Sequence, residues 1–406
     1  MYQQRSSLPR TLVPACLAAV AYVDPGNFGV NIAAGAGHGY ALLFVVVLAS
    51  AAASLIQFLA AKLGSTTGLS LSEACAGSYG RGVRTVLWIQ AELAVVMTEL
   101  AEVVGGALAL QLLLGVPLVL GAVVISALSM LILAAHGTGR SVYPVIVLGL
   151  LGVIVLALAV LVGVVGVDGP ALGRGLVPHG LAGDGTTLAV GIIGATVMPH
   201  ALHFHSAMAR PVGVIAVAGR RARARELLAR HGPRRLSAGT GRSVAVAMTI
   251  AGLANAAIIM VAAALPGKGR DGVSGAYAAL GGGGVLLAVA LLASGLAASL
   301  VGVHTGQLVM EGFAPGWMSW WGRRLLTAVP PLVLLALGMD AVTALVLSQV
   351  ALSFALPGTL VPLVWLTSRR HLMGRAVNRL GTTLLAAGVT GVIVGLDVSL
   401  LVGLVI

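Results

Sequence analysis

The sequence predicts an all-α integral membrane protein with about eleven transmembrane helices, and three observations predict it. Of its 406 residues, 58% are hydrophobic and only 9% charged, where a soluble domain carries about 25% charge. Apolar runs of about 20 residues recur along the whole chain, without the short alternating segments of a barrel. Glycine, at 56 residues, is about twice its usual share, and membrane helices are richer in glycine than soluble ones. Mean hydropathy is +1.04.

The runs place spans at 11–35, 39–61, 85–113, 116–135, 142–167, 187–208, 243–266, 275–308, 324–338, 341–366 and 380–405. The chain reads as one membrane domain over 1–406. The first run, "TLVPACLAAV" into "AYVDPGNFGV", follows two arginines but has no small-residue cleavage site. It leads into Asp24, so it is expected to be a retained span rather than a signal peptide. The two cysteines, Cys16 in that run and Cys75 in the polar loop after the second, make no disulfide framework.

Eleven spans put successive loops on alternate sides, and the 24 Lys and Arg divide unequally between them. All but Arg174, Lys268 and Arg270 fall on the side of the N-terminus. Basic loops stay in the cytoplasm, which predicts a cell-membrane protein with its N-terminus inside and its C-terminus outside. The net charge of +12 then reflects topology and needs no nucleic-acid partner. The loop "GRRARARELLARHG" reads as a topology anchor, with a seat on the anionic inner leaflet as the other reading.

Two spans carry breaks beside chemistry-bearing side chains. "DPGN", Asp24 to Asn27, interrupts span one, and "GATVMPHALHFH" interrupts span six around Met198 and Pro199. Proline removes a helix hydrogen bond, and backbone freed in hydrocarbon is tolerated only where protein or a cavity satisfies it. Pro330, Pro331, Pro357 and Pro362 lack ionisable neighbours and read as ordinary kinks. Spans one and six lie five crossings apart. Spans 1–5 (11–167) and 6–10 (187–366) therefore read as inverted repeats, with 380–405 appended and the breaks in corresponding places. That arrangement points to a transporter site near the midplane.

Asp24 suits two roles at once: an N-cap before Pro25, and an intramembrane carboxylate, which is costly and functional by default. With Asn27 and the carbonyls of Ala21 and Ala195, it offers hard oxygen ligands. Met198 is either packing or a soft ligand. One carboxylate, neutral oxygens and a thioether describe a site for Mn²⁺ or Fe²⁺ rather than Mg²⁺ or Ca²⁺.

"DPGNFGVNIAAG" followed by "MPHALHFHSA" resembles the paired signature motifs of the Nramp family of divalent-metal transporters. "AELAVVMTELAEVVGGALAL", "GQLVMEGF" and "LVLSQVALSFALPGTLVPL" resemble the same family's spans three, eight and ten, so the likeness covers nearly the whole chain. It implies a LeuT-like fold and proton-coupled uptake of Mn²⁺ and Fe²⁺. Asp24, Asn27, Met198, Ala21 and Ala195 match the metal ligands, and Gln349 matches a further one. Ala201, Leu296 and Glu99 depart from the family's usual Asn, Gln and Asp. These departures touch none of the proposed ligands.

Glu92, Glu99 and Glu102 fall on one face of span three. They read as a proton relay or as a structural network with buried arginines. His200 stands beside the metal motif, and an unperturbed imidazole, titrating near 6.5, suits proton transfer near neutral pH. Arg323 and Arg324 match a basic pair that the family uses as a proton exit, with a role as positive-inside anchors the other reading. His203 and His205 complete "HALHFH", but without an HExxH or companion motif they make no zinc enzyme. His205 reads as structural or gating. Asp397 and Glu311 read as local caps or pairs.

The expectation is thus a secondary transporter and not an enzyme, with no cofactor beyond the transported metal and protons and no obligatory protein partner. The alternative is a transporter of the same fold for Mg²⁺ or an amino acid, although Asp24 would repel a substrate carboxylate. A channel would show a pore ring or filter, and an ATP-driven pump a G-x-x-x-x-G-K-[ST] loop. Neither is present in the sequence.

Overall fold

The first span is divided where "DPGN" divides the sequence. A computed structural model describes residues 8–136, 142–180, 185–211, 217–265 and 272–405. Arg5, Arg140, Lys268 and Arg270 lie outside the described residues, as do the side chains of Arg10, Arg225, Arg234, Arg235 and Asp397. The span runs as α1 (Leu8–Val20), a 3-10 turn (Ala21–Val23) and α2 (Pro25–His38). Then come α3 (Leu43–Thr67), α4 (Leu71–Ser78), α5 (Arg81–Leu114), α6 (Leu118–His136), α7 (Val142–Val165) and α8 (Gly169–Gly175). Span six is divided likewise, into α9 (Gly185–Thr196) and α10 (Pro199–Met208). The rest is α11 (Val217–His231), α12 (Pro233–Ala263), α13 (Gly272–Ala279), α14 (Gly284–Phe313), α15 (Trp320–Ala336), α16 (Ala341–Thr367), α17 (Arg370–Met373) and α18 (Leu380–Val405).

Each predicted span has its helix, and the described elements are helices and turns. Among the described residues, seven helices are long and apolar enough to cross a membrane unaided. Shorter apolar stretches accompany them, Thr11–Val23 up to the first break, Leu118–Ala134 in α6 and Leu380–Leu396 in α18. Large apolar side chains stand exposed on the outside, among them Leu48 at 56%, Val145 at 69% and Leu156 at 66%. Water would penalise such a surface, whereas lipid does not.

Span seven begins at Pro233 rather than 243, and span eight runs as α14 from Gly284 to Phe313 rather than over 275–308. Two further expectations are corrected. Span two does not end at 61 but continues to Thr67, where Gly68 takes the left-handed conformation (φ 71°) that closes a helix. Lys62 does not stop it, because its amine is buried and donates to Asn378 Oδ1 at 2.7 Å. Cys75 is not in an open polar loop: it is buried in α4, which Ser70 and Glu73 start with a reciprocal capping box.

Inside, α5 lies along α14 and reaches α16, while α12 supports α2 and α3. Small residues allow these approaches. A Cβ on Gly295 would meet the Gly106 nitrogen at 2.7 Å, and one on Gly35 would meet the Ile259 carbonyl at 2.5 Å. Such close backbone approach is how membrane helices gain packing without a hydrophobic drive.

Candidate functional site

Each break is held open by side chains from helices distant in sequence. After the 3-10 turn, Asp24 is extended (φ −78°, ψ 168°) and caps α2, its Oδ1 accepting from the Asn27 amide at 3.0 Å. Pro25 follows at the first helical position, where its missing N–H costs nothing. The carbonyls of Tyr22 and Val23, which a continuous helix would use, are taken instead by Asn255 Nδ2 at 2.6 Å and Ser294 Oγ at 2.5 Å. Asn31 in turn donates to Asn255 Oδ1 at 2.7 Å.

Met198 sits between α9 and α10 in extended conformation (φ −99°, ψ 112°) and makes no side-chain cap bond. Pro199 again starts the second half-helix. Asn27 joins the two breaks: its Nδ2 donates both to Asp24 Oδ1 at 2.6 Å and to the Ala195 carbonyl at 3.1 Å. Gln349 of α16 comes to the same place, since a side chain on Gly26 would overlap its carboxamide and come within 3.1 Å of Asp24 Oδ2. Asp24 Oδ2 itself has no hydrogen-bond partner, and Asp24, Asn27 and Met198 are all sealed from solvent. A wholly buried carboxylate oxygen with no donor is costly, and a cation is one group that would offset that cost. Ala21 opens the 3-10 turn, one residue before the carbonyls that Asn255 and Ser294 cover.

The carboxylates of α5 form a line leading away from this point. His200 bonds Thr98 Oγ1 through Nδ1 at 3.1 Å and turns Nε2 toward Glu102 Oε1, 4.0 Å away. Glu99 and Glu102 face each other across Gly302: a Cβ there would lie 2.5 Å from Glu102 Oε2 and 3.3 Å from Glu99 Oε2. Ser299 donates to Glu99 Oε1 at 2.8 Å. Further along, Glu92 is ion-paired with Arg323 and accepts from Trp88 Nε1 at 3.0 Å. Gly306 makes the room Arg323 occupies, a Cβ there falling 2.5 Å from its Nη2. From Glu92 to Glu102 the helix rises about 15 Å.

Arg323 therefore belongs to the carboxylate line and is 2% exposed, which is not the environment of a surface anchor. Arg324 does not join it. Its Nη1 donates to the Met130 carbonyl of α6 at 2.8 Å, and its guanidinium lies 5.9 Å from the Trp321 ring.

The histidines of "HALHFH" diverge. His203 bonds Ser72 Oγ of α4 at 2.8 Å, and His205 is buried with Nδ1 unpartnered. Among the described residues, no group of three or more His, Cys, Asp or Glu is placed to hold a metal. The candidate cation site is a one-carboxylate site. Ser206 accepts from the Leu71 amide at 2.8 Å, so α10 is pinned to α4 at two points.

Sequence reasoning missed Asn255, Ser294, Asn31 and the bond from Tyr22 Oη to Gln57 Oε1 at 3.0 Å. An amide inside the apolar run "AGLANAAIIM" was a signal for Asn255. Ser294 gave none, being one small residue among many. Asn255→Leu leaves the Tyr22 carbonyl buried without a donor, and a loss of about 1–3 kcal/mol is expected. Thermal unfolding in detergent measures it, with Ser294→Ala expected to act in the same direction at Val23.

Comparisons with known proteins address the family and the fold. The chain is 39% identical to the divalent metal cation transporter MntH of Yersinia pestis over 401 residues, covering 96% of this chain and 94% of that protein. It is 41% identical to the protein of the same name from Mycobacterium tuberculosis, covering 92% and 86%. Solved structures of the Eremococcus coleocola manganese transporter superpose with a TM-score of 0.84 at 27% identity, over 97% of this chain and 87% of that one. Mhp1, a nucleobase-cation-symport-1 family transporter, matches with a TM-score of 0.58 at 17% identity over 95% and 91%, a likeness of fold alone. The fold is thus LeuT-like, with its first and sixth spans broken. The family model for natural resistance-associated macrophage protein-like chains matches residues 15–403, and this multi-pass membrane protein belongs to the Nramp family.

Proposed function

We propose that the protein is a secondary active transporter that imports Mn²⁺ or Fe²⁺ together with protons by alternating access, with no catalytic step and no resident cofactor. The single observation carrying this reading is the junction of the two breaks, where Asn27 ties Asp24 to the Ala195 carbonyl and Asp24 Oδ2 is left without a donor. In this reading Asp24, Asn27, Met198, Gln349 and the carbonyls of Ala195 and Ala21 hold the ion. The Ala21 carbonyl enters when the 3-10 turn opens. Divalent metal transport by the relatives supports the substrate class. The basic face is cytoplasmic, with the N-terminus inside and the C-terminus outside the cell membrane. Spans 1–5 and 6–10 act as inverted repeats that rock about the site.

Met198 is the proposed filter. Thioether sulfur favours softer transition metals over hard Mg²⁺ and Ca²⁺. Mn²⁺ uptake into proteoliposomes, challenged by excess Mg²⁺ or Ca²⁺, tests the reading. Competition is expected in Met198→Ala and not in the unmodified chain. An unmodified chain that moves no Mn²⁺, or a variant indistinguishable from it, ends the proposal.

The proton would pass from Asp24 through His200 to Glu102 and Glu99, which can share one proton between them, and on to Glu92 and Arg323. Arg324 would act beside this route on α6, and His205 would gate from α10. Glu102→Gln keeps the volume and removes the exchangeable proton. A loss of about 10²-fold or more in metal-stimulated proton influx is expected, the scale of one missing proton-transfer group. Proton influx and pH dependence identical to those of the unmodified chain would remove Glu102 from the route.

A further inference from the structure

A cavity that includes none of the proposed metal ligands lies on the basic face, between α3, α11 and α17. Its volume is about 400 Å³, and Thr66, Thr67, Arg221, His371, Met373 and Arg375 are among its lining residues. The three basic side chains come from two segments far apart in sequence and converge on one concavity. Among the described residues, none of the three is paired with a carboxylate. The nearby acids are already engaged: Glu73 by Arg210 and Arg220, Glu226 by Arg223 and Arg230.

A second observation lies one helical turn away along α3. Lys62 is 7% exposed, and its amine meets only the neutral Asn378 Oδ1 at 2.7 Å and the Phe58 face at 5.9 Å. Its own carbonyl accepts from Thr66 Oγ1 at 2.6 Å, so Lys62 stands one helical turn before a lining residue. Asn378 is fixed in turn by donating to Thr367 Oγ1 at 2.9 Å. A buried cation without a counter-charge is costly. Loop arginines obey the positive-inside rule anywhere on this face, and that rule does not explain a lysine buried in α3 one turn from a basic hollow.

We infer that this cavity binds a phosphate-bearing anion, with the headgroup of an anionic phospholipid as its source. Guanidinium forks match phosphate oxygens. Leu228, Leu372 and Met373 line the same hollow and suit the glycerol and upper acyl carbons of a lipid. The face is the one assigned above to the cytoplasm, so a lipid reaches it from the inner leaflet. The site ties α3, which packs against α9 and α10, and α11 to α17 in the link between spans ten and eleven. An occupant would resist displacement of one against the other.

The test reads binding and so does not depend on metal transport. The full chain is extracted from vesicles of phosphatidylcholine with phosphatidylglycerol, and retained lipid is measured by native mass spectrometry. Arg221→Gln with Arg375→Gln is expected to reduce retained phosphatidylglycerol about tenfold, the scale of losing charge-assisted bonds. Arg223→Gln, on the same helix but paired with Glu226 outside the cavity, is expected to leave retention unchanged. Lysine at both positions keeps the charge without the fork and is expected to restore retention only in part. Displacement of the lipid by glycerol phosphate supports headgroup recognition. Saturable binding of inorganic phosphate with no lipid retention supports the anion site with a soluble source. Equal retention by the unmodified chain and the double variant overturns the inference. Should the double variant not fold, non-saturable binding of both probes to the unmodified chain overturns it equally.

Discussion

Asp24→Asn is expected to lower Mn²⁺ uptake and Mn²⁺ affinity by about 100-fold or more, equivalent to about 2.7 kcal/mol, while the fold survives. Asparagine is as good an N-cap as aspartate, so it can still accept from the Asn27 amide, the bond Asp24 Oδ1 makes at 3.0 Å. What disappears is the charge on Oδ2, the atom with no partner. No other carboxylate belongs to the proposed ligand set, so nothing replaces it. Asp24→Ala adds the loss of the cap, about 1 kcal/mol of helix stability, and is the less informative variant. Calorimetric titration with Mn²⁺ in detergent and uptake into proteoliposomes measure the two effects separately. Undiminished affinity in the asparagine variant would show that the cation is held elsewhere.

Arg323→Ala is expected to destabilise the protein by about 3–5 kcal/mol, because it leaves the Glu92 carboxylate uncompensated in a largely buried place. The lower end applies, since the Glu92 side chain is 14% exposed and some screening reaches it. Glu92→Gln combined with Arg323→Gln removes both charges and keeps hydrogen-bonding groups, and it is expected to recover most of that loss. Thermal unfolding of Arg323→Gln, Glu92→Gln and their double variant measures the coupling. A double variant no more stable than Arg323→Ala would mean that the pair does not hold α5 to α15. The same series separates stability from proton movement, because a purely structural pair leaves the pH profile of uptake unchanged.

Much of the fold was legible because membrane solvation imposes a simple code. A segment must be apolar for about 20 residues and satisfy its own backbone, and the breaks announce themselves as Asp-Pro-Gly-Asn and Met-Pro-His in two such segments. The paired carboxylates of α5 were equally readable from their spacing. The buried status of Arg323 was not, because the positive-inside rule explains an arginine at a span boundary equally well. Nor was the continuation of α3 past Lys62, which depends on Asn378, more than 300 residues away.

The sequence by itself determined the membrane class, the spans, the place of both breaks and the residue types gathered at them. All of these follow from local composition and from the intolerance of hydrocarbon for unpaired backbone. Only the tertiary structure decided which groups answer the breaks: Asn255 and Ser294 for the carbonyls of Tyr22 and Val23, and Asn27 as the bridge to Ala195. It also separated Arg323, in the carboxylate line, from Arg324, against α6. The physical reason is common to these cases. A buried polar atom needs a partner, and a folded chain supplies it from whichever helix packs alongside, at sequence distances no local pattern encodes.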